Sequence, residues 1–583
     1  MNTLLKSAVY IVLLAIILSC QDYLDIKPKG VLTDEFVGKI ENVEGLVIAA
    51  YSFIQKKRPC CEELKSLNPW IASVRSDDAY KGGGGLDDQS SWYQMEVFSL
   101  VSPSVNNNNG VWKNGYYGIS RANTAISKLK EINDEDFALK QTRIAEMRFL
   151  RGWLHFKLKM NYKWIPYITD GLSPQEIKKI PNRPDGATND LEIWQKIYED
   201  FKFASENLPE KQNDVGRINK YGAKAYLVHA LMWMAYEQDM DNKVVNVNKS
   251  RLEEALQQTD DIINSGLYSL APDFSLNFMY NTFSPEVIWA LQFSVDDGTP
   301  YGNLNAGNSL TAPWWSPYFS CCDFHKPSYN MVNAFKVDEN GLPLFETFND
   351  QSANNNPRFF KGENSFDPRI GHTVAIPGLP WKYQNQSNPV LFDSTASRQS
   401  AVYGYFHSMK ENVRTDSPGL VDLFWMFNSK DQAEVRYDEV LLWKAEILIE
   451  LGREKEALSI INDVRKRAGQ STAKLVFENG TPTLDYQIGL YEDGVNVKWT
   501  QDFARKALRW ERRLEFAMEG RRFFDLVRWG IAEETMDTYF AEEKKRRSWL
   551  EIADFTSGRD EFRPIPQAQV NLSEGAYVQN PGY

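Results

Sequence analysis

The chain has 583 residues, and 66 lysines and arginines stand against 78 aspartates and glutamates for a net charge of −12. That length supports a large core and excludes a small disulfide scaffold. The acidic balance, with no long basic block, argues against nucleic acid as a partner.

The first element in chain order is an export signal. It has a cationic start at Lys6, an apolar run from Val9 to Leu18, and small Ser19 directly before Cys20. The run falls short of the roughly 20 apolar residues that a spanning helix needs. Ile17-Leu18-Ser19-Cys20 resembles the bacterial lipobox, so Cys20 is the expected lipidation site and residues 1–19 the cleaved signal peptide. Residues 20–35 are polar, with Pro28 and Gly30, and read as a tether. The remainder, 36–583, reads as a single domain.

Apolar residues at a period near 3.6 predict a helix from Asn42 to Gln55, and then around 116–132, 141–160, 189–207, 220–238, 251–264, 433–450, 454–468 and 502–528. The fold class is therefore mainly α. In 438–468, Ala445, Gly452 and Ala457 fall where two antiparallel helices of a tetratricopeptide unit require small residues, and Ala255 has the same place in Leu252–Gly266. About four such pairs are expected, stacked into a curved scaffold. Between about 296 and 430 the pattern dissolves into Gly, Pro, Asn and Ser with scattered aromatics, which predicts a loop-rich insertion with short strands. The thiols beyond Cys20 form two adjacent pairs, Cys60-Cys61 and Cys321-Cys322. Because a bridge between neighbours is strained, cross-pairing or free buried thiols are expected. His325 follows the second pair, but no further ligand lies at metal spacing.

Near the C-terminus stands Trp510-Glu511-Arg512-Arg513-Leu514-Glu515-Phe516, followed by Glu519-Gly520-Arg521-Arg522-Phe523-Phe524-Asp525-Leu526. This block resembles the most diagnostic segment of the SusD/RagB family, surface lipoproteins of Bacteroidota. Phe562-Arg563-Pro564-Ile565-Pro566 and Gln579-Asn580-Pro581-Gly582-Tyr583 are similar to that family's closing pattern. Cys20-Gln21-Asp22-Tyr23-Leu24-Asp25-Ile26-Lys27-Pro28 is similar to its start, and Arg436 to Glu446 to its clearest helix pair. The resemblance implies tetratricopeptide-like helix pairs carrying an irregular ligand face. It further implies an outer-membrane, cell-surface, lipid-anchored location, an oligosaccharide ligand and a SusC-like TonB-dependent transporter as partner. The RagB branch implies peptide as the alternative cargo.

The acids of the 510–530 block invite a catalytic reading. Glu511, Glu515 and Glu519 share one helix face beside Arg512, Arg513, Arg521 and Arg522, however, which predicts a charge network. A glycosidase needs two carboxylates about 5–9.5 Å apart across a cleft. No phosphate loop, His-Glu-x-x-His pair or Gly-x-Ser-x-Gly elbow occurs, and Gly82–Gly85 reads as a mobile loop. No catalytic residue, metal site or cofactor is expected, and without an EF-hand pattern a structural calcium has no support.

Glycan recognition needs aromatic faces beside amides, carboxylates or guanidinium groups. Two stretches have that composition. The first holds Trp70, Arg75, Asp77, Asp78, Trp92 and Tyr93; the second holds Asn305, Asn308, Trp314, Trp315 and Tyr318. These are the candidate glycan-binding residues. The competing reading is that rings in loops without regular structure anchor the core. Trp233 and Tyr236, on a helical pattern, are assigned to the core.

Overall fold

The computed structural model describes residues 40–54, 72–299, 302–353, 357–383, 390–423 and 425–583. Cys20 with its signal and tether, Cys60, Cys61 and Trp70 lie outside the described residues. The helices used below are α1 (Ile40–Ile54), α2 (Ser90–Val97), α3 (Asn106–Glu131), α4 (Lys140–Tyr162), α5 (Leu191–Asn207) and α6 (Lys220–Ala235). They continue with α7 (Lys249–Asn264), α8 (Tyr437–Glu450), α9 (Glu454–Gly469), α10 (Gln501–Glu515), α11 (Arg522–Arg528) and α12 (Ala532–Glu543).

From α3 to α9 each helix packs against the next in sequence, and α10 closes on α8 and α9. This is the stacked helix-pair scaffold that the small residues predict: Ala255, Ala445 and Ala457 are fully buried, and Gly452 takes the left-handed φ of +79° that ends α8. Between α3 and α4 the approach depends on glycine. A Cβ on Gly115 would meet the Leu158 side chain at 2.8 Å, and one on Gly118 would meet Leu154 at 2.6 Å.

Residues 265–436 interrupt the stack between α7 and α8 with short strands and helices. They leave and rejoin it through an antiparallel pair, β2 (Val287–Leu291) with β4 (Gln432–Arg436), in which Trp289 opposes Val435. A second pair, β1 (Ala79–Gly82) with β3 (Phe324–Pro327), ties the early loop to the insertion, with Gly82 opposite Phe324. Helix boundaries differ from the sequence expectation where a distant segment intervenes. The sixth helix stops at Ala235 because Tyr236–Gln238 pairs with Val244–Val247 in a hairpin. The expected start at 433 is instead β4, held by β2. The span 502–528 is broken between α10 and α11, where Met518 and Gly520 adopt φ of +65° and +74°.

The 510–530 block forms a buried web of ion pairs. Arg369 bridges Asp367 at 2.6 Å, Glu511 at 2.6 Å and Glu515 at 2.8 Å, Arg465 reaches Glu511 at 3.0 Å, and Arg467 pairs with Glu286 and Glu515. Glu519 is held by Arg436 and, at 2.7 Å, by Lys410. Glu511 and Glu515 thus join α10 to the insertion and to α9, whereas Glu519, beyond the end of α10 and off the helix face expected for it, ties the following turn to the insertion. Buried charges persist only when paired in this way.

Candidate functional site

Residues 315–319 form a tight reversal in which the Phe319 amide donates to the Trp315 carbonyl at 2.8 Å and the Trp315 amide to the Phe319 carbonyl at 3.2 Å. Trp315 is buried against Phe392 and Trp381, at ring-centroid distances of 5.2 and 5.9 Å. Anchoring that ring turns its neighbours outward: Trp314 is 47% exposed and Tyr318 36%. The Tyr318 ring stands edge-on to Trp315 at 5.0 Å.

The guanidinium of Arg398 lies 5.0 Å from the centroid of the Trp314 ring, a cation–π arrangement that orients both groups. Its Nη1 donates to Asp88 Oδ2 at 3.0 Å and to the Cys322 carbonyl at 3.3 Å, and its backbone amide donates to Asp323 Oδ2 at 2.8 Å. Asp88 Oδ2 also accepts from the Gly84 amide at 2.7 Å. The glycine run is the far wall of this arrangement, and it is tied down rather than loose. Gly83 donates to the Asp323 carbonyl at 2.8 Å, and Lys81 Nζ donates to the carbonyls of Gly85 at 2.8 Å and Asp88 at 2.5 Å. Burial lowers the Lys81 ammonium to about 8. Glycine is required here at Gly82, which has a φ of +77° and where a Cβ would come within 2.3 Å of the Asp323 carbonyl oxygen. The result is an indole face, a guanidinium and a carboxylate held in fixed relation at the surface.

Several of the sequence candidates are elsewhere. Trp92 is fully buried in the core under the insertion, because α2 turns it inward. Arg75 is buried with its guanidinium 4.2 Å from the Phe523 ring and bonded to the Asp560 carbonyl at 2.9 Å. Asp77 pairs with Arg513 at 3.0 Å and Arg522 at 2.9 Å, and Asp78 pairs with Arg513 at 3.2 Å. These three charges close the C-terminal block onto the early loop and are withdrawn from any ligand. Asn305, fully buried, donates to the Lys430 carbonyl at 2.9 Å, and Asn308 donates to the Glu411 carbonyl at 2.9 Å. Both amides hold the backbone. Tyr93 is half-buried, with its hydroxyl on the Trp549 carbonyl at 3.0 Å, and Trp315 is the anchor described above. Only Trp314 and Tyr318, among the candidates within the described residues, are exposed rings. Arg398 and Asp88 were not among the candidates; nothing in the local sequence of either distinguishes it, since each gains its role from a partner 310 positions away.

The sulfurs of Cys321 and Cys322 are turned towards each other, the arrangement of a pair of neighbours rather than the expected cross-pairing or free thiols. His325 bonds Glu411 at 2.7 Å. His372 and His407 are buried, and burial holds both near 4, neutral at physiological pH. Among the described residues no group of His, Cys, Asp and Glu side chains is placed to hold a metal ion, and no helix is long and apolar enough to cross a membrane.

Comparison with known proteins places this geometry in a lineage. Residues 285–583 match the model of the SusD family, and residues 22–230 match a model described as starch-binding associating with outer membrane. SusD-like protein P2 of Formosa agariphila is 23% identical, over 98% of this chain and 99% of its own. A crystal structure of a SusD-like protein from Bacteroides fragilis superposes with a TM-score of 0.67 at 19% identity, covering 94% of this chain and 98% of that one. Surface glycan-binding protein A from Bacteroides thetaiotaomicron, in complex with laminarihexaose, superposes with a TM-score of 0.58 at 19% identity, covering 93% and 99%. The stacked helix pairs, the C-terminal charge block and a family match over more than half of its length together establish that this chain belongs to the SusD family.

Proposed function

We propose that the protein is a cell-surface glycan-binding lipoprotein that captures oligosaccharide and delivers it, as a lid, to a SusC-like TonB-dependent transporter. The observation that carries the reading is the Trp314 ring, 47% exposed and backed by Arg398. A sugar lays its C–H face on such an indole while Arg398 and Asp88 meet its hydroxyls, and Tyr318 extends the platform. The laminarihexaose complex of a relative with the same fold supports a glycan as cargo. The family description that joins starch binding to the outer membrane supports the location, and lipidation at Cys20 would supply the anchor. Binding without turnover fits the acids of the C-terminal block, which are buried in ion pairs rather than facing each other across a cleft.

The test is a glycan array run beside a peptide pull-down, with Trp314→Ala as the variant. The parent should retain glycans, and Trp314→Ala should weaken retention at least about tenfold, the effect expected from losing about 1.4 kcal/mol of stacking, with an unchanged thermal midpoint. Retention of peptides alone would overturn the carbohydrate assignment. The lid role makes a separate prediction: affinity purification of the full chain from outer membranes should recover a large barrel protein, and Cys20→Ala should release a folded, ligand-competent protein that no longer supports uptake. Normal uptake by that variant, or repeated purification without a barrel, defeats the role.

A further inference from the structure

A larger concavity lies apart from the Trp314 platform and shares no residue with it. It is a cleft of about 760 Å³ between the segment 211–219, the segment 276–293 and β4 with the residues before it, within the 300–1,000 Å³ typical of ligand pockets. Its walls are fixed. Trp289 Nε1 donates to the Gly216 carbonyl at 3.0 Å, and a Cβ on Gly216 would meet Gln292 Cγ at 2.5 Å, so the first wall is locked onto β2. On the other wall the Tyr280 ring lies so close to Gly419 that a Cβ there would reach it at 2.3 Å, and the Tyr280 hydroxyl accepts from Ser429 Oγ at 3.3 Å.

The lining combines rings with hydroxyl-seeking groups. Phe283, at the lip, is 87% exposed, an apolar surface that folding leaves in water although the adjacent Ser284 and Ile288 are buried. Tyr280 stands beside it, with the exposed side chains of Asn281 and Asp431. One Asp431 oxygen accepts from the Phe293 amide at 2.8 Å, which orients the carboxylate. Of the three cations in the lining, Arg217 is engaged by Glu44, Glu146 and Asp214, Lys430 Nζ donates to the Lys410 carbonyl, and Lys211 is exposed, with the carboxylates of Asp214 and Asp431 in the same lining. Aromatic faces beside an oriented carboxylate and an amide, in a lining that carries charges of both signs and has Arg217 already paired, suit a neutral sugar better than an acidic glycan.

We infer that this cleft is a second binding site, for a neutral oligosaccharide, with Tyr280 and Phe283 as its stacking rings. The inference rests on the reading that the cargo is a glycan.

The test takes the neutral oligosaccharide that the parent retains most strongly on an array and titrates it calorimetrically into the parent, Phe283→Ala, Trp314→Ala and the double variant. Phe283 is exposed, so its removal leaves the fold intact. Two ligands per chain are expected for the parent, one for each single variant and none for the double. Hydrogen exchange should slow in residues 279–293 when ligand is added to Trp314→Ala. If Trp314→Ala abolishes all binding while Phe283→Ala binds like the parent, the second site is refuted and the glycan reading stands. A parent that retains peptides alone, or no glycan, refutes both.

Discussion

Trp314 and Trp315 are identical in chemistry and opposite in environment, so truncating each measures a different quantity. Trp315 fills a small core with Phe319, Trp381 and Phe392, and its removal deletes the anchor of the reversal that presents Trp314. Trp→Ala at such a site costs about 3–5 kcal/mol. Trp315→Ala should therefore lower the denaturation midpoint and also weaken glycan binding, because an unanchored loop no longer fixes the platform. Trp314→Ala should lower binding alone. Urea unfolding and glycan titration of the two single variants separate these effects; equal stability for both would mean that Trp315 is not an anchor. A double variant would confuse them. The same contrast explains why sequence composition identified the right stretch without distinguishing its rings: both indoles stand among the same polar neighbours, and only the alternation imposed by the 315–319 reversal decides which one is buried.

At the scale of elements, periodicity carried most of the helical scaffold, since a 3.6-residue repeat of buried side chains is a local property. It failed where a distant partner overrides local preference. α3 begins at Asn106, ten residues before the periodic signal, through a run of asparagines and Gly110 that favours helix poorly. Packing holds that first turn: Val111 and Trp112 are buried, Asn108 Nδ2 donates to the Pro564 carbonyl at 2.6 Å, and the Tyr162 hydroxyl donates to the Asn108 carbonyl at 2.6 Å. The early candidate stretch misled for the same reason. Arg75, Asp77 and Asp78 look like a polar ligand cluster until Arg513, Arg522 and the Asp560 carbonyl are brought against them from more than 400 residues away. The glycine run looks loose in sequence because its tethers, Lys81 and Asp88, bond it through side-chain and carbonyl contacts that no repeat encodes.

Across the whole molecule, the buried charge web sets how stability responds to acid. Burial opposes ionisation of Glu519, yet Arg436 and Lys410 prevail and draw its carboxyl down to about 2. Glu446 is likewise drawn to about 2 by Arg528 against its burial. In the unfolded chain a glutamate titrates near 4.3. Below that pH the unfolded state binds protons that the folded state refuses, so the stabilisation is complete above about 4.5 and is lost as pH falls towards 2. The contribution of Glu519 and Glu446 to the urea midpoint should therefore fall between those values. Glu519→Gln isolates one contributor. At pH 7 the variant leaves Arg436 and Lys410 facing a neutral amide and should lose about 3–5 kcal/mol, the cost of breaking a buried pair from one side. Near pH 2 the parent's own Glu519 is substantially protonated and resembles the amide, so the difference should narrow sharply. Urea titrations of both proteins at pH 7, 4 and 2 check this, and a gap independent of pH would mean that Glu519 acts through shape rather than charge.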